Sequence, residues 1–206
     1  MKRSALFSAA LAVALALPAA AYGALAGSAH DFTAKGWSGG TLCGVCHTPH
    51  HGISTVPNAP LWNHKVTTAN YTLYSSPTLK ATLSQPTHYG SKLCLSCHDG
   101  TVALDSFGSN TGTTFIDASN SVGTNLQGTH PIGLVYDAGL ASADPKLYNP
   151  GMKVTALGGT ITHDMLFGTG NLECASCHDV HNTQNNASLL RITKNGSAIC
   201  LTCHNK

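Results

Sequence analysis

Charge is scarce in this chain. Only 10% of its 206 residues are Asp, Glu, Lys or Arg, and the formal net charge is +2. Nothing in that balance argues for nucleic acid as a partner. Aromatic residues are also few, at 6%, against 21 glycines. Such a chain makes poor long helices and a thin apolar core. Long hydrophobic runs are missing too, since a bilayer span needs about 20 apolar residues. The longest run, Ala5 to Leu17, falls short of that. It follows Lys2 and Arg3, ends at Pro18 and leads into small residues, which is the pattern of a removable secretory leader. Cleavage after Ala21 or after Ala26 fits the small-x-small rule. The second is preferred because Gly27-Ser28-Ala29-His30 reads as the start of a polar, ordered chain. The expected organisation is a leader over 1–26 and a single domain over 27–206, exported and without a transmembrane segment.

No cysteine is left over. All eight fall in Cys-x-x-Cys-His units: Cys43 and Cys46 with His47, Cys94 and Cys97 with His98, Cys174 and Cys177 with His178, Cys200 and Cys203 with His204. An exported chain with eight cysteines would ordinarily suggest four disulfides. Disulfides do not need this spacing. Zinc held by paired Cys-x-x-Cys units does not need a His directly after each second Cys. The repeated unit is the haem c attachment pattern. Two thiols form thioethers to one porphyrin, and the adjacent His binds the iron as proximal ligand. One helical turn puts all three side chains on one side of the backbone. Four haem c groups are therefore expected, attached through the eight cysteines, with His47, His98, His178 and His204 proximal.

Methionine is nearly absent beyond the leader, where only Met152 and Met165 remain. Four His/Met haems are therefore impossible, and the eight further histidines point to His on both faces of each iron. His50 and His181 follow the proximal His47 and His178 by three residues. A His so close in sequence does not curl onto the far face of the same ring, but reaches a neighbouring haem. His130, fixed by Pro131 in the long gap before Cys174, is a third distal candidate. His64, beside Trp62, is a fourth. His30, beside Asp31, is a fifth, its imidazole open to orientation by a carboxylate. His51, His88 and His163 are weaker candidates. Five candidates compete for four places.

The uneven gaps between motifs exclude a tandem repeat. The fold class expected is mostly coil with few short helices and a small hairpin, wrapped around a stacked haem chain. Ser76-Pro77 predicts a short helix through Leu83. Gly158-Gly159 predicts a hairpin between Val154–Leu157 and Thr160–His163. Gly108 to Gly128 reads as a loop. Ser197 is placed to cap a last helix carrying the fourth motif.

Several stretches together resemble one family. They are Ser28 to Phe32, Cys43 to His50, Ala59 to His64, Leu93 to Leu104, Thr129 to Gly133, Leu172 to Asn182 and Ala198 to Lys206. They look like the doubled Cys-x-x-Cys-His class, and among it the OmcE-like tetrahaem outer-surface cytochromes of metal-reducing bacteria. That resemblance implies electron transfer along a continuous haem chain in an extracellular filament. It also implies a homopolymer with head-to-tail contacts, with redox proteins and extracellular electron acceptors as partners. In such filaments one haem takes an axial His from the neighbouring subunit, and by the resemblance His50 is the candidate donor here. A soluble periplasmic shuttle is the alternative. A multihaem reductase needs an open iron face with acid groups beside it, and no constellation of residues suggests one.

Overall fold

A computed structural model of the chain describes residues 25–57, 59–86 and 90–206. The leader residues 1–24 and His88 lie outside the described residues. Most of the described chain is turn and coil. Its regular elements are α1 (Gly90–His98), β1 (Leu134–Val135), α2 (Ala138–Ala143), α3 (Ile161–Met165), β2 (Asn171–Leu172), α4 (Cys174–Cys177) and α5 (Ala198–Cys203). None of the helices described is long and apolar enough to cross a membrane.

The helices are short because few residues drive them, and α2, α3 and α4 each lean on a local device. Asp137 caps α2 by accepting from the Leu140 N–H at 2.8 Å. Thr160 caps α3. Glu173 and Ser176 form a reciprocal capping box at the start of α4. Ser91 ties that box to α1. Its hydroxyl donates to the Glu173 carboxylate and accepts from the Cys174 N–H at 3.0 Å. The second and third motifs are thereby fused through buried polar groups.

β1 and β2 pair antiparallel, with Leu134 opposite Leu172 and Val135 opposite Asn171. Leu134 and Leu172 face inward and join Tyr136, Ile161, Met165, Leu166 and Ile192 in the main apolar cluster. Tyr136 anchors the C-terminal segment to that cluster, its hydroxyl donating to the Cys203 carbonyl at 3.3 Å as well as to the Tyr148 carbonyl at 2.5 Å. A smaller cluster of Tyr71, Leu95 and Leu126 lies against α1. Neither cluster contains a residue before Ala69. The segment carrying the first motif is held instead by backbone bonds such as Thr48 N–H to Leu61 O at 2.9 Å and Asn63 N–H to Cys46 O at 2.9 Å. Gly52 packs so close there that a Cβ would sit 2.7 Å from the Leu61 backbone. Gly133, at φ +74, meets the Ser84 carbonyl in the same way.

Three local expectations need correction. No helix forms over 76–83. Ser76 does accept from the Thr78 N–H at 3.3 Å, but it closes only a turn. A stretch this short bears the nucleation cost of a helix with few bonds to offset it, and Ala81 and Leu83 pack against the main apolar cluster from coil instead. The hairpin around Gly158-Gly159 shrinks to a single bridge between Val154 and Thr160. Thr160 then starts α3, so its arm becomes helix; the paired strands are β1 and β2, far apart in sequence. Ser197 precedes α5 but sits at φ 60, and its side chain makes no cap bond. Gly108 to Gly128 is a loop apart from one 3-10 turn at Leu126–Gly128.

Candidate functional site

All four Cys-x-x-Cys-His units adopt one helical turn. In three of them the His N–H returns to the first Cys carbonyl: His47 to Cys43 at 2.8 Å, His178 to Cys174 at 3.0 Å and His204 to Cys200 at 2.9 Å. The second unit lies inside α1. The turn places both sulfurs beside the imidazole, as attachment to one flat ring requires.

Three of these imidazoles are held by backbone oxygens. The Nδ1–H of His47 donates to the Pro60 carbonyl at 2.7 Å, that of His98 to Asn120 at 2.9 Å and that of His178 to Ser188 at 3.0 Å. A carbonyl acceptor at Nδ1 fixes the tautomer and leaves Nε2 bare for a metal. Sequence reasoning missed these carbonyls, since no side chain marks them.

Three motif imidazoles also face a second imidazole. His98 faces His30, with ring centroids 5.9 Å apart. His47 faces His181 at 6.3 Å and 13° between planes. His204 faces His130 at 6.3 Å and 74°. Two imidazoles bound at about 2 Å to one iron have centroids roughly 6 Å apart, so these three separations match that of a ligand pair. The facing rings are set by their own neighbours. His130 donates from Nδ1 to the Pro131 carbonyl at 3.0 Å. His181 has Asp179 at 3.8 Å. His30 has a buried Nδ1 without a hydrogen-bond partner. Burial lowers the His30 pKa, and the facing His98 lowers it further. Burial and then the facing His130 do the same for His204. Both shifts favour the neutral imidazole, the form that binds metal.

His178 faces no second imidazole among the described residues. His50 is exposed, and its ring makes no described contact. His64 is only 1% exposed, and its ring nitrogens lie 2.7 Å from the Lys65 carbonyl and 3.0 Å from the Ala103 carbonyl. Its neighbour Trp62 lies edge-on against His47 at 6.1 Å. Of the weaker candidates, His51 is exposed, and His163 is exposed with its Nδ1–H donating to Asp164 at 2.7 Å.

All eight cysteines are free. Burial pushes the Cys46 thiol up to about 11 and the Cys97 and Cys203 thiols up to about 12. Zinc sites need thiolates, which such burial opposes, whereas a neutral thioether suits it. Among the described residues no group of three or more His, Cys, Asp or Glu side chains could hold a metal ion by itself. A cleft of about 200 Å³ opens beside Cys174 and Cys177, walled by Leu95, Leu126, Ile132 and Leu172. Its apolar walls fit a flat apolar ring attached through the third motif. The residues present therefore fit haem: paired thiols, a tautomer-fixed imidazole and, at three motifs, a second imidazole across the gap.

Aspartates following two motif histidines were also missed. Asp99 accepts from the Tyr71 hydroxyl at 2.6 Å and the Thr101 N–H at 2.7 Å. Asp179 accepts from the N–H groups of His181 at 3.0 Å and Thr183 at 2.9 Å. Each pins the chain as it leaves its motif. The repeated Cys-His-Asp order in the sequence was the available signal.

The family described as the doubled CXXCH motif matches residues 167–206, which hold the third and fourth motifs. That match supports a multihaem c-type cytochrome. A comparison with curated proteins finds no match.

Proposed function

We propose that the chain is an exported tetrahaem cytochrome that passes electrons along haems with His on both iron faces, and that copies of it assemble into an extracellular filament. The observation that carries the haem reading is the set of three facing imidazole pairs at 5.9 to 6.3 Å. In this reading His47 with His181, His98 with His30, and His204 with His130 would hold three of the haems. His178 serves as the proximal ligand of the third haem. All three pairs join residues distant in sequence, so ligation would cross-link the coil.

Haem supplies iron that alternates between ferrous and ferric states, and close rings let the electron move between them. The protein's own groups do the rest. The carbonyls of Pro60, Asn120 and Ser188 hold three imidazoles in the tautomer that presents Nε2. Imidazoles on both sides of an iron would keep its potential low and close it to a substrate, which favours electron carriage over catalysis. Contact between α1 and α4, through Ser91 and Glu173, keeps the second and third attachment sites adjacent.

The filament rests on the family resemblance and on the exposed His50, whose ring makes no described contact. His50 is the proposed ligand given to the next copy, and the low charge weakens repulsion between copies. Electron microscopy and sedimentation of the secreted holoprotein test it. Filaments that disappear with His50→Ala are the expected result. Monomers at high concentration, with every haem low-spin, would leave a soluble periplasmic shuttle instead.

A further inference from the structure

Gly27 and Asp31 close a short loop around His30. The Gly27 N–H donates to Asp31 Oδ2 at 2.8 Å. Asp31 Oδ1 accepts from the Thr33 N–H at 3.0 Å and from the Thr33 hydroxyl at 2.6 Å. The His30 N–H donates to Ser28 Oγ at 3.2 Å. His30 is therefore fixed from both sides, with its ring against His98. A full carboxylate charge meets only a neutral amide at Gly27. An α-ammonium at the same nitrogen would make this a charge-assisted bond, roughly twice as strong as a neutral one. Ala26 and Gly27 are both exposed, and Ala24-Leu25-Ala26 is a small-x-small sequence.

We propose that a leader peptidase hydrolyses the Ala26–Gly27 bond, and that the α-ammonium released on Gly27 becomes part of the fold, pairing with Asp31 to hold His30 against His98. Water adds across the amide. Its oxygen goes to the Ala26 carbonyl carbon, leaving a carboxylate on the leader, and the Gly27 nitrogen departs as the protonated amine. No electrons change hands. Cleavage also removes the Leu25 carbonyl that now accepts from the Ser28 N–H at 3.0 Å. That half-buried N–H turns to water. Cleavage after Ala21 would instead keep Gly27 as an amide and leave Tyr22 and Leu25 on an apolar tail. The first half of the proposal concerns only the peptide bond. The second rests on the reading of His30 as an axial ligand.

The two halves are tested separately on the secreted holoprotein. Its intact mass, with haems attached, gives the first residue. A start at Gly27 is expected; a start at Tyr22, or a retained leader, overturns the proposal. The second measurement is haem spin state in Asp31→Asn, Asp31→Glu and His30→Ala. His30→Ala is expected to convert one haem to high spin. Asp31→Asn should produce part of that signal and Asp31→Glu should restore the low-spin spectrum. A fully low-spin Asp31→Asn beside a high-spin His30→Ala overturns the anchoring role. A fully low-spin His30→Ala overturns it as well, by removing His30 from the ligand set, and leaves the mass result standing.

Discussion

The first and fourth motifs carry the same five-residue chemistry in opposite surroundings. The fourth lies on α5, where Ala198, Ile199 and Cys203 pack against the main apolar cluster and Tyr136 binds the Cys203 carbonyl at 3.3 Å. The first lies in coil, where Val45 and Val56 are the only buried apolar side chains described before Tyr71. It is held by backbone bonds and by Asn63, whose side-chain N–H donates to the Gly44 carbonyl at 2.6 Å. The C-terminal motif thus lies against an apolar core, whereas neither apolar cluster described includes a residue before Ala69; in the proposed reading a haem would supply the core there. Isolated turns and backbone bonds without apolar burial sit near the low end of local stability.

The largest effect should come from removing attachment at each end. Cys43→Ser with Cys46→Ser should lose one haem and leave residues 25–66 unprotected in hydrogen exchange and open to proteolysis. Cys200→Ser with Cys203→Ser should also lose one haem, yet protection over β1, α3 and β2 should persist. Equal loss of protection in the two variants would break the comparison.

A smaller effect separates the apolar contents of the two regions. Met165 is 1% exposed inside the main cluster. Met165→Ala should cost about 2–5 kcal/mol in denaturant unfolding of the holoprotein, as core truncations do. Val56 is equally buried, but Val56→Ala removes only two methyl groups, worth about 1.5 kcal/mol. Its loss should appear as local exchange around the first motif rather than as a lower global midpoint. A drop in the global midpoint as large as that of Met165→Ala would show that the N-terminal region is part of the same cooperative unit.

How far this was legible in the sequence follows the same division. The Cys-x-x-Cys-His units are local, so their turns could be read directly, and the glycine-rich loop likewise. The small sheet could not be read, because Leu134 and Leu172 meet only after the chain between them folds back. The Ser76 turn shows the converse: a sound capping signal fails where Ala81 and Leu83 reach the main cluster from coil. The site divides similarly. Spacing marks the residues that attach a ring, but the acceptors that orient the imidazoles are backbone carbonyls of Pro60, Asn120 and Ser188, identical in kind to every other carbonyl in the chain. The facing pairs are long-range as well, His47 with His181 above all, so sequence could name candidates without matching them.

The smallest effect concerns two aspartates, one in each region, and it sharpens the comparison through pH. In the C-terminal region, burial alone would raise the Asp164 carboxyl. Hydrogen bonds from Thr155, His163 and Gly159 outweigh it and hold the group below its usual value. In the N-terminal region Asp31 is also lowered, chiefly by the Gly27 N–H and then by Thr33, but it stands in solvent. A depressed carboxyl contributes stability that is present above the unfolded value near 3.9 and is lost as pH falls through the folded one. Asp164 ties the Thr155–Gly159 turn to α3, whose residues Ile161 and Met165 belong to the main cluster. Its contribution therefore reaches the global transition. Asp164→Asn should cost about 1–3 kcal/mol at neutral pH, the range for a buried polar network that loses a partner. The wild-type and variant stabilities should converge as the pH is lowered below 4. Asp31→Asn should leave the global midpoint in place at every pH, because no apolar cluster depends on its loop. A global shift from Asp31→Asn comparable to that from Asp164→Asn would mean that the N-terminal region, though without a cluster of its own, is coupled to the core through the haems it holds.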